Sequence, residues 1–230
     1  MMFTQTVDLA KTSVRALNQR LHELNAEHDE EHWRILNPRG AHAIACGLRV
    51  PVTVEIEGHA GYYCAGMNQK ATVIVHGNVA TGVAENMMSG IVHVYGNASQ
   101  CAGATAHGGL LVVEGDASAR CGISMKGIDI VVKGSAGHMS AFMAQTGNLV
   151  ICGDAGDALG DSIYEARLFV RGGVRSLGTD CIEKEMRPEH LKALETLLKQ
   201  AGCDARPEEF RRYGSARRLY HFQIDNASSY

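Results

Sequence analysis

The chain has 230 residues and a formal net charge of −3, so it lacks the basic surface that nucleic-acid-binding proteins usually carry. It contains no run of eighteen apolar residues that could span a membrane, and its first residues do not resemble a secretory leader. The seven cysteines are odd in number and include no Cys-x-x-Cys motif, which predicts reduced thiols and a cytoplasmic location.

Residues 1–50 are predicted to form a helical arm. Asp8 is a candidate N-cap for a helix whose apolar positions follow helical spacing: Leu9, Val14, Leu17, Leu21 and Leu24. A charged stretch at residues 28–32 then leads to Trp33. We expect this arm to cap the first coil of the domain that follows, because an open solenoid end exposes unpaired strand edges.

Residues 51–176 contain a repeat of nineteen residues. A glycine recurs at this spacing, each time after a short run rich in valine, isoleucine or leucine, at Gly58, Gly77, Gly96, Gly115, Gly134, Gly153 and Gly172. A fixed period near twenty residues is typical of a solenoid, in which one coil buries its apolar side chains only against its neighbours.

The columns of the repeat predict which side chains point inward. The positions two and four before each glycine are apolar, and the positions two and seven after it carry small residues or valine. Alternating apolar positions stack along the inside of a coil, and the small residues indicate tight turns. We therefore predict an all-β solenoid: a right-handed parallel β-helix with 19-residue coils, three short strands per coil, and helical N- and C-terminal extensions. The left-handed alternative requires eighteen-residue coils.

The position three before each glycine is expected to point outward, yet most of its residues are apolar. Either the N-terminal arm or another protein must cover this column, and both possibilities stay open here. The candidate partner interface on it comprises Ile74, Val112, Val131, Val150 and Phe169.

Residues 177–230 are predicted to form a C-terminal helical cap and a tail. Pro188 begins a helix that ends at Gly202, and Pro207 begins a further helical turn. The tail either packs back on the solenoid or docks a partner, because tyrosine and arginine are favoured at interfaces. Its candidate interface residues are Tyr213, Arg217, Arg218 and Tyr220.

No arrangement of residues in the sequence predicts a catalytic, cofactor-binding or metal site. The histidines fall in different columns, so their spacing does not assemble a three-ligand site. The column after each glycine is polar, and we interpret it as a corner ladder that satisfies backbone groups: His59, Asn78, Asn97, Asp116, Ser135 and Asp154.

The segment containing Gly153, Gly156 and Gly160 fits the pattern G-x-x-G-x-x-x-G, and Gly134 with Gly137 nearly fits it. The solenoid thus resembles the GXGXG domain at the C-terminus of the glutamate synthase large subunit. Other coils depart from the pattern, with Ala80, Ser99 and Ser118 in place of the second glycine. As a free-standing chain with helical ends, it most resembles the GXGXG subunit of N-methylglutamate synthase (methylamine–glutamate N-methyltransferase) and GlxC-type proteins.

The resemblance implies a structural subunit without catalytic residues of its own. Its partners would be an amidotransferase-like subunit and an FMN-binding synthase subunit with an iron–sulfur cluster, and the complex would convert methylamine and L-glutamate to N-methyl-L-glutamate and ammonia. The protein would link the two partners and could line a tunnel for an amine or ammonia. The alternatives are a protein like the formylmethanofuran dehydrogenase subunit that shares this fold, or an independent carbohydrate-active β-helix enzyme with several carboxylates in an outer groove.

Overall fold

The computed structural model describes residues 3–25 and 31–218, and most of these belong to coils around one long sheet. The strands in this part of the chain are β1 (Gln5–Asp8), β2 (His32–Leu36), β3 (Thr53–Glu57), β4 (Thr72–Val75), β5 (Ile91–Val94), β6 (Leu110–Val113), β7 (Lys126–Val132), β8 (Thr146–Ile151), β9 (Arg167–Val170), β10 (Cys181–Lys184) and β11 (Arg211–Ser215). The helices are α1 (Val14–His22) and α2 (Pro188–Gln200), with a 3-10 turn at Pro207–Glu209.

Strands β3 to β9 lie side by side in chain order, and each pairs in parallel with the next. Their register repeats every nineteen residues, so that Val54 faces Val73 and Val73 faces Val92. The predicted parallel β-helix with 19-residue coils is confirmed. The inward residues of these strands are fully buried, and each such aliphatic side chain contributes about 1.5–3 kcal/mol through its removal from water.

The other two sides of the coil are not the strands that we predicted. One is reduced to a column of single-residue bridges: Ala60, Val79, Ala98, Ala117, Ala136, Ala155 and Val174. On the other, alternate residues have positive φ, as at Cys101, Gly103 and Thr105. The amides of Cys101 and Thr105 donate to carbonyls of the following coil, and the amide of Gly103 donates to a carbonyl of the preceding coil. These backbone groups are thus hydrogen-bonded although no strand is formed.

The solenoid begins earlier than the predicted boundary at residue 51. Strand β2 pairs in parallel with β3, and β1 pairs in parallel with β2, so the sheet extends into the supposed helical arm. Trp33 faces Val54, a separation of twenty-one residues. Because this coil is two residues longer than those of the repeat, it does not align with the nineteen-residue pattern.

The N-terminal helix caps the first coil, as predicted, although it is shorter than expected. Its N-cap is Ser13, whose side chain accepts a hydrogen bond from the Ala16 amide. Asp8, the predicted cap, ends β1 instead. Leu17 and Leu21 are buried against the end of the solenoid interior. Asn18 bonds the Ala43 carbonyl and the Ala45 amide, so its side chain satisfies backbone groups of the first coil.

The C-terminal region also differs from a simple end cap. Helix α2 begins at Pro188 as predicted, but it lies on the outer face of the sheet. The end of the solenoid is instead covered by β11, which pairs antiparallel with β9, and by β10 beyond it. No helix within residues 3–25 and 31–218 is long and apolar enough to cross a membrane.

Candidate partner-binding face

Helix α2 covers the outer column over the last four coils. Val112, Val131, Val150 and Phe169 are at most 2% exposed and pack in one cluster with apolar residues that follow β10: Leu194, Leu197, Leu198, Ala201 and Phe210. The prediction that these four residues form a partner interface is therefore wrong. Neither the N-terminal arm nor another protein is needed to cover them, because the C-terminal helix does so.

The first three coils of the repeat keep their outer side uncovered by α2. We define the open face as a set of outward-pointing side chains on and just after strands β3, β4 and β5. Its members are Glu55, Glu57, Ile74, His76, Ile91, His93 and Tyr95. Ile91 is 42% exposed and Tyr95 is 53% exposed, while Ile74 is half-buried. Ile74 is thus the one residue of the predicted interface column that stays on an accessible surface in the described chain.

Three rings form a stack on the open face. The Tyr95 ring lies 4.5 Å from that of His93 and 5.2 Å from that of His76, with interplanar angles of 10° and 11°. The register explains this arrangement, because His93 and Tyr95 are two residues apart at the end of β5 and His76 is the neighbour of Tyr95 on the preceding coil. The result is a stack of three rings in which the Tyr95 side chain is 53% exposed. Ile91 and Tyr95 are absent from the predicted interface, although strand alternation places both on the same side as Ile74.

A polar chain connects the open face to α2. The Glu114 carboxylate bonds His93 Nε2 at 2.6 Å and Lys133 Nζ at 2.8 Å. Lys133 also donates to the carbonyl of Gly202, just beyond α2. Burial opposes ionisation of Glu114, but the hydrogen bonds from Lys133 and His93 outweigh it and hold its pKa below the ordinary value.

Glu55, Glu57 and His76 bring their ligand atoms within 4.8 Å of one another and form a group in the described chain that could hold a metal ion. However, Glu55 accepts hydrogen bonds from His32 and His76, and Glu57 accepts one from Arg34. Burial raises the pKa of Glu55, but these two imidazoles outweigh it and the pKa is lowered. Cross-strand pairing accounts for this cluster, so we assign no metal to it.

Exposed apolar side chains concentrate in the same part of the solenoid. Most of the large apolar residues that are at least 36% exposed in the described chain lie between residues 62 and 95: Tyr62, Tyr63, Met67, Met88, Ile91 and Tyr95. The other two, Leu177 and Ile182, lie near the C-terminal end. Of these, Ile91 and Tyr95 belong to the open face, whereas Tyr62, Tyr63 and Met67 lie in a turn region of the coil. Exposed apolar and aromatic side chains are typical of surfaces that bind other proteins.

The corner ladder is structural, as predicted. Each polar side chain after a column glycine accepts a hydrogen bond from the backbone amide of the corresponding residue one coil later, at 2.7–3.0 Å. Asn97, for example, accepts from the Asp116 amide, and Asp116 accepts from the Ser135 amide. These side chains stabilise turns and are not arranged to bind a substrate.

The motif glycines provide space for these turns. A Cβ on Gly77, Gly96, Gly115, Gly134, Gly153 or Gly172 would lie within 3.0 Å of the backbone of the preceding coil. Gly137 and Gly156 meet the preceding backbone in the same way, whereas Gly160 has a φ of +65°. A Cβ on Gly58 would meet only the ring of Pro38. The motif is thus a packing feature of the coil.

The predicted interface residues of the tail do not form one surface. Tyr213 is 2% exposed within β11, where it pairs with β9 and β10. Arg217 forms an exposed ion pair with Glu165 at 2.8 Å, and the amide of Arg218 donates to Asp180. The tail thus packs back on the solenoid as far as residue 218. Tyr220 lies outside the described residues.

The buried thiols are poor nucleophiles. Burial raises the pKa of Cys121 to about 12 and that of Cys64 well above its ordinary value. Cys152 Sγ lies 3.6 Å from Cys203 Sγ, and burial together with that neighbouring thiol raises its pKa to about 12. A nucleophilic cysteine requires a lowered pKa, so these three residues are not poised for catalysis.

No family model matches the chain. Protein GlxC of Rhizobium meliloti (strain 1021) is 63% identical to it over 225 residues, which span 97% of this chain and 99% of that protein.

Proposed function

Because the chain belongs to the GlxC family, we propose that it is a non-catalytic scaffold subunit of a glutamate-synthase-like complex in the cytoplasm. Its glycine pattern resembles that of the GXGXG domain, which holds two catalytic modules together in glutamate synthase. The observation that carries the proposal is the open face. The described residues leave the apolar side chains of this face, Ile74, Ile91 and Tyr95, accessible, whereas helix α2 covers the outer face of the other half of the sheet.

The partners in this proposal are an amidotransferase-like subunit and an FMN-binding synthase subunit with an iron–sulfur cluster. Together the subunits would act as an N-methylglutamate synthase, converting methylamine and L-glutamate to N-methyl-L-glutamate and ammonia. The scaffold would keep two active sites at a fixed distance, and the chemistry would belong to its partners.

A path for the amine would run between this subunit and its partners. The axis of the coil is filled by aliphatic side chains such as Val73, Val92 and Leu111, all fully buried. A closely packed interior of this kind admits no small molecule. Only the outer surface of the solenoid is therefore free to line a channel.

An independent carbohydrate-active enzyme is less well supported. A glycosidase needs a carboxylic acid with a raised pKa near a second carboxylate. On the open face, the hydrogen bonds from His76 and His32 lower the pKa of Glu55 despite its partial burial. Burial raises the pKa of Asp129, but this residue accepts a hydrogen bond from Asn148 and serves the pairing of β7 with β8.

The proposal is tested by co-expressing the chain with the two candidate partner subunits and purifying the complex. Ile91→Asp should abolish recovery of the subunit that binds the open face, because it replaces one of the exposed apolar side chains of this face with a charge. The isolated variant should keep its unfolding midpoint, since Ile91 is 42% exposed.

Ile182→Asp is the matched control, because Ile182 is also 42% exposed and lies on a strand at the other end of the sheet. It should retain the subunit that Ile91→Asp loses. If wild-type protein recovers neither partner and behaves as a monomer with lyase or hydrolase activity, the scaffold proposal is wrong.

A further inference from the structure

A second feature, distant from the open face, is a cavity of about 420 Å³ between the N-terminal end of α2 and the C-terminal strands. Five cationic side chains line it: Arg167 from β9, Lys184 from β10, Arg187 before α2, Arg212 from β11, and Arg217 after β11. His190 in the first turn of α2 also lines it. We call this the cationic pocket.

The charge of the cationic pocket is poorly balanced by its lining. Glu165 is the carboxylate among the lining residues, so five cations and one anion leave a formal charge of +4 in a chain whose net charge is −3. Arg217 is paired with Glu165 at 2.8 Å, and Arg187 with Glu185 at 3.2 Å. Elsewhere, arginines with ion partners include Arg34 with Glu57 and Arg175 with Asp157.

Three cations of the pocket have no carboxylate within salt-bridge distance in the described chain. Lys184 donates to the Ser215 carbonyl, and Arg212 Nε donates to the Glu185 carbonyl. The Arg167 side chain makes no hydrogen bond or ion pair to residues 3–25 or 31–218, although its charge acts on Asp129. A guanidinium has five N–H donors, so most donors here are available to a ligand.

The cationic groups also disfavour one another's charge. Burial and the neighbouring Arg187 and Arg167 lower the pKa of Arg212, and the carboxylates of Glu189 and Glu185 offset this only in part. Burial, followed by the charge of Arg212, lowers the pKa of His190. A bound anion would stabilise the charged forms of these cationic groups, because its attraction to them would offset their mutual repulsion in a partly desolvated site.

We propose that the cationic pocket binds a small polyvalent oxyanion, either a phosphate group or a dicarboxylate. Forked guanidinium groups match the oxygen geometry of both, and the positive end of the α2 dipole reinforces the attraction. The volume lies within the range of small-molecule pockets. Tyr164 is the aromatic residue among the lining residues and is half-buried, so charged groups rather than aromatic anchors dominate the described lining. This site is independent of the proposed scaffold role.

Calorimetric titration of the full chain at constant ionic strength tests the proposal, with inorganic phosphate and succinate as separate probes. At least one of them should bind with one-to-one stoichiometry and a dissociation constant below about 1 mM. Phosphate binding without succinate binding would identify a phosphate site, and the reverse would identify a dicarboxylate site.

Arg167→Gln and Arg212→Gln should each weaken binding by about tenfold or more, because each removes a charge-assisted contact. Arg175→Gln is the control, since Arg175 is exposed and lies outside the pocket; it should change the affinity by less than about twofold. Arg167→Gln is expected to fold normally, because its guanidinium has no hydrogen bond to lose within the described chain. Absence of binding by both probes, or equal weakening in Arg175→Gln, would overturn the proposal.

Discussion

At the level of single residues, space rather than backbone conformation requires the glycine column from Gly77 onward, whereas Gly58 has a φ of +129°. Gly172 lies against the backbone of Gly153 and the side chain of Asp154, so a methyl group there would overlap both. A Cβ on the adjacent Gly173 would have Asp154 Oδ1 at 3.6 Å as its nearest contact, which is an ordinary van der Waals distance. The two glycines therefore differ in their tolerance of a side chain.

We expect Gly172→Ala to destabilise the chain by about 1–3 kcal/mol, because the coil must shift to admit the added methyl group. Gly173→Ala should change the free energy of unfolding by less than about 0.5 kcal/mol. Urea unfolding of the two variants beside wild type measures both values. Equal loss in the two variants would show that spacing between coils does not select glycine.

Glu114 gives stability a dependence on pH. Its pKa in the folded chain lies below the ordinary value of 4.5, because Lys133 and His93 outweigh the cost of burial. A lowered pKa stabilises the fold above the ordinary value, and this contribution is lost as the pH falls through the folded value. Between about pH 6 and about pH 3, the free energy of unfolding should therefore fall by about 1 kcal/mol more in wild type than in Glu114→Gln.

The measurement is the free energy of unfolding in urea at several pH values. Glu195→Gln on the exposed side of α2 is the control, and it should follow the wild-type curve. A Glu114→Gln curve parallel to that of wild type would mean that the ionisation of Glu114 does not contribute to stability.

At the level of elements, the sequence predicts α2 correctly but not the surface that it covers. Its start at Pro188 and its end before Gly202 follow from local residues. The surface to which it packs depends on contacts between residues far apart in sequence, such as Phe169 and Leu197, and no periodic pattern specifies these. The same limit applies to β2 in its twenty-one-residue coil and to the antiparallel β11.

Phe169→Ala should destabilise the fold by about 3–5 kcal/mol, because this fully buried ring anchors α2 to the sheet. Thermal unfolding measures the loss, and limited proteolysis should cut the chain in or beside α2 first. Lys192→Ala on the outer side of α2 should behave as wild type. If Phe169→Ala weakens subunit assembly without lowering stability, α2 does not cover this column in solution.

At the level of the whole molecule, the periodic part of the fold is what the sequence predicts best. The inward columns, the corner ladder and the nineteen-residue register recur from coil to coil and reinforce one another. The open face is predictable only in part, because its column identifies Ile74 alone. Tyr95 and Ile91 become significant only once the extent of α2 is known.

The coils should be removable as units. Deletion of residues 78–96 joins Gly77 to Asn97 and keeps every column in register, because nineteen residues are lost. We expect this variant to unfold cooperatively with a lower thermal midpoint, since a solenoid is stabilised by neighbouring repeats. Deletion of residues 78–87 shifts the columns and should yield no folded monomer by gel filtration and circular dichroism. If both deletions fold, register does not determine the coil.

The reversal of strand direction at β11 also has a consequence for molecules in a concentrated solution. A stack of parallel coils could in principle continue from one molecule into the next and grow into a filament. Here the last coil is followed by β11 and β10, and β10 carries Glu183 and Lys184 at the margin of the sheet. An incoming first coil would meet a charged strand beyond an antiparallel pair, so we expect the described sheet to resist end-to-end growth.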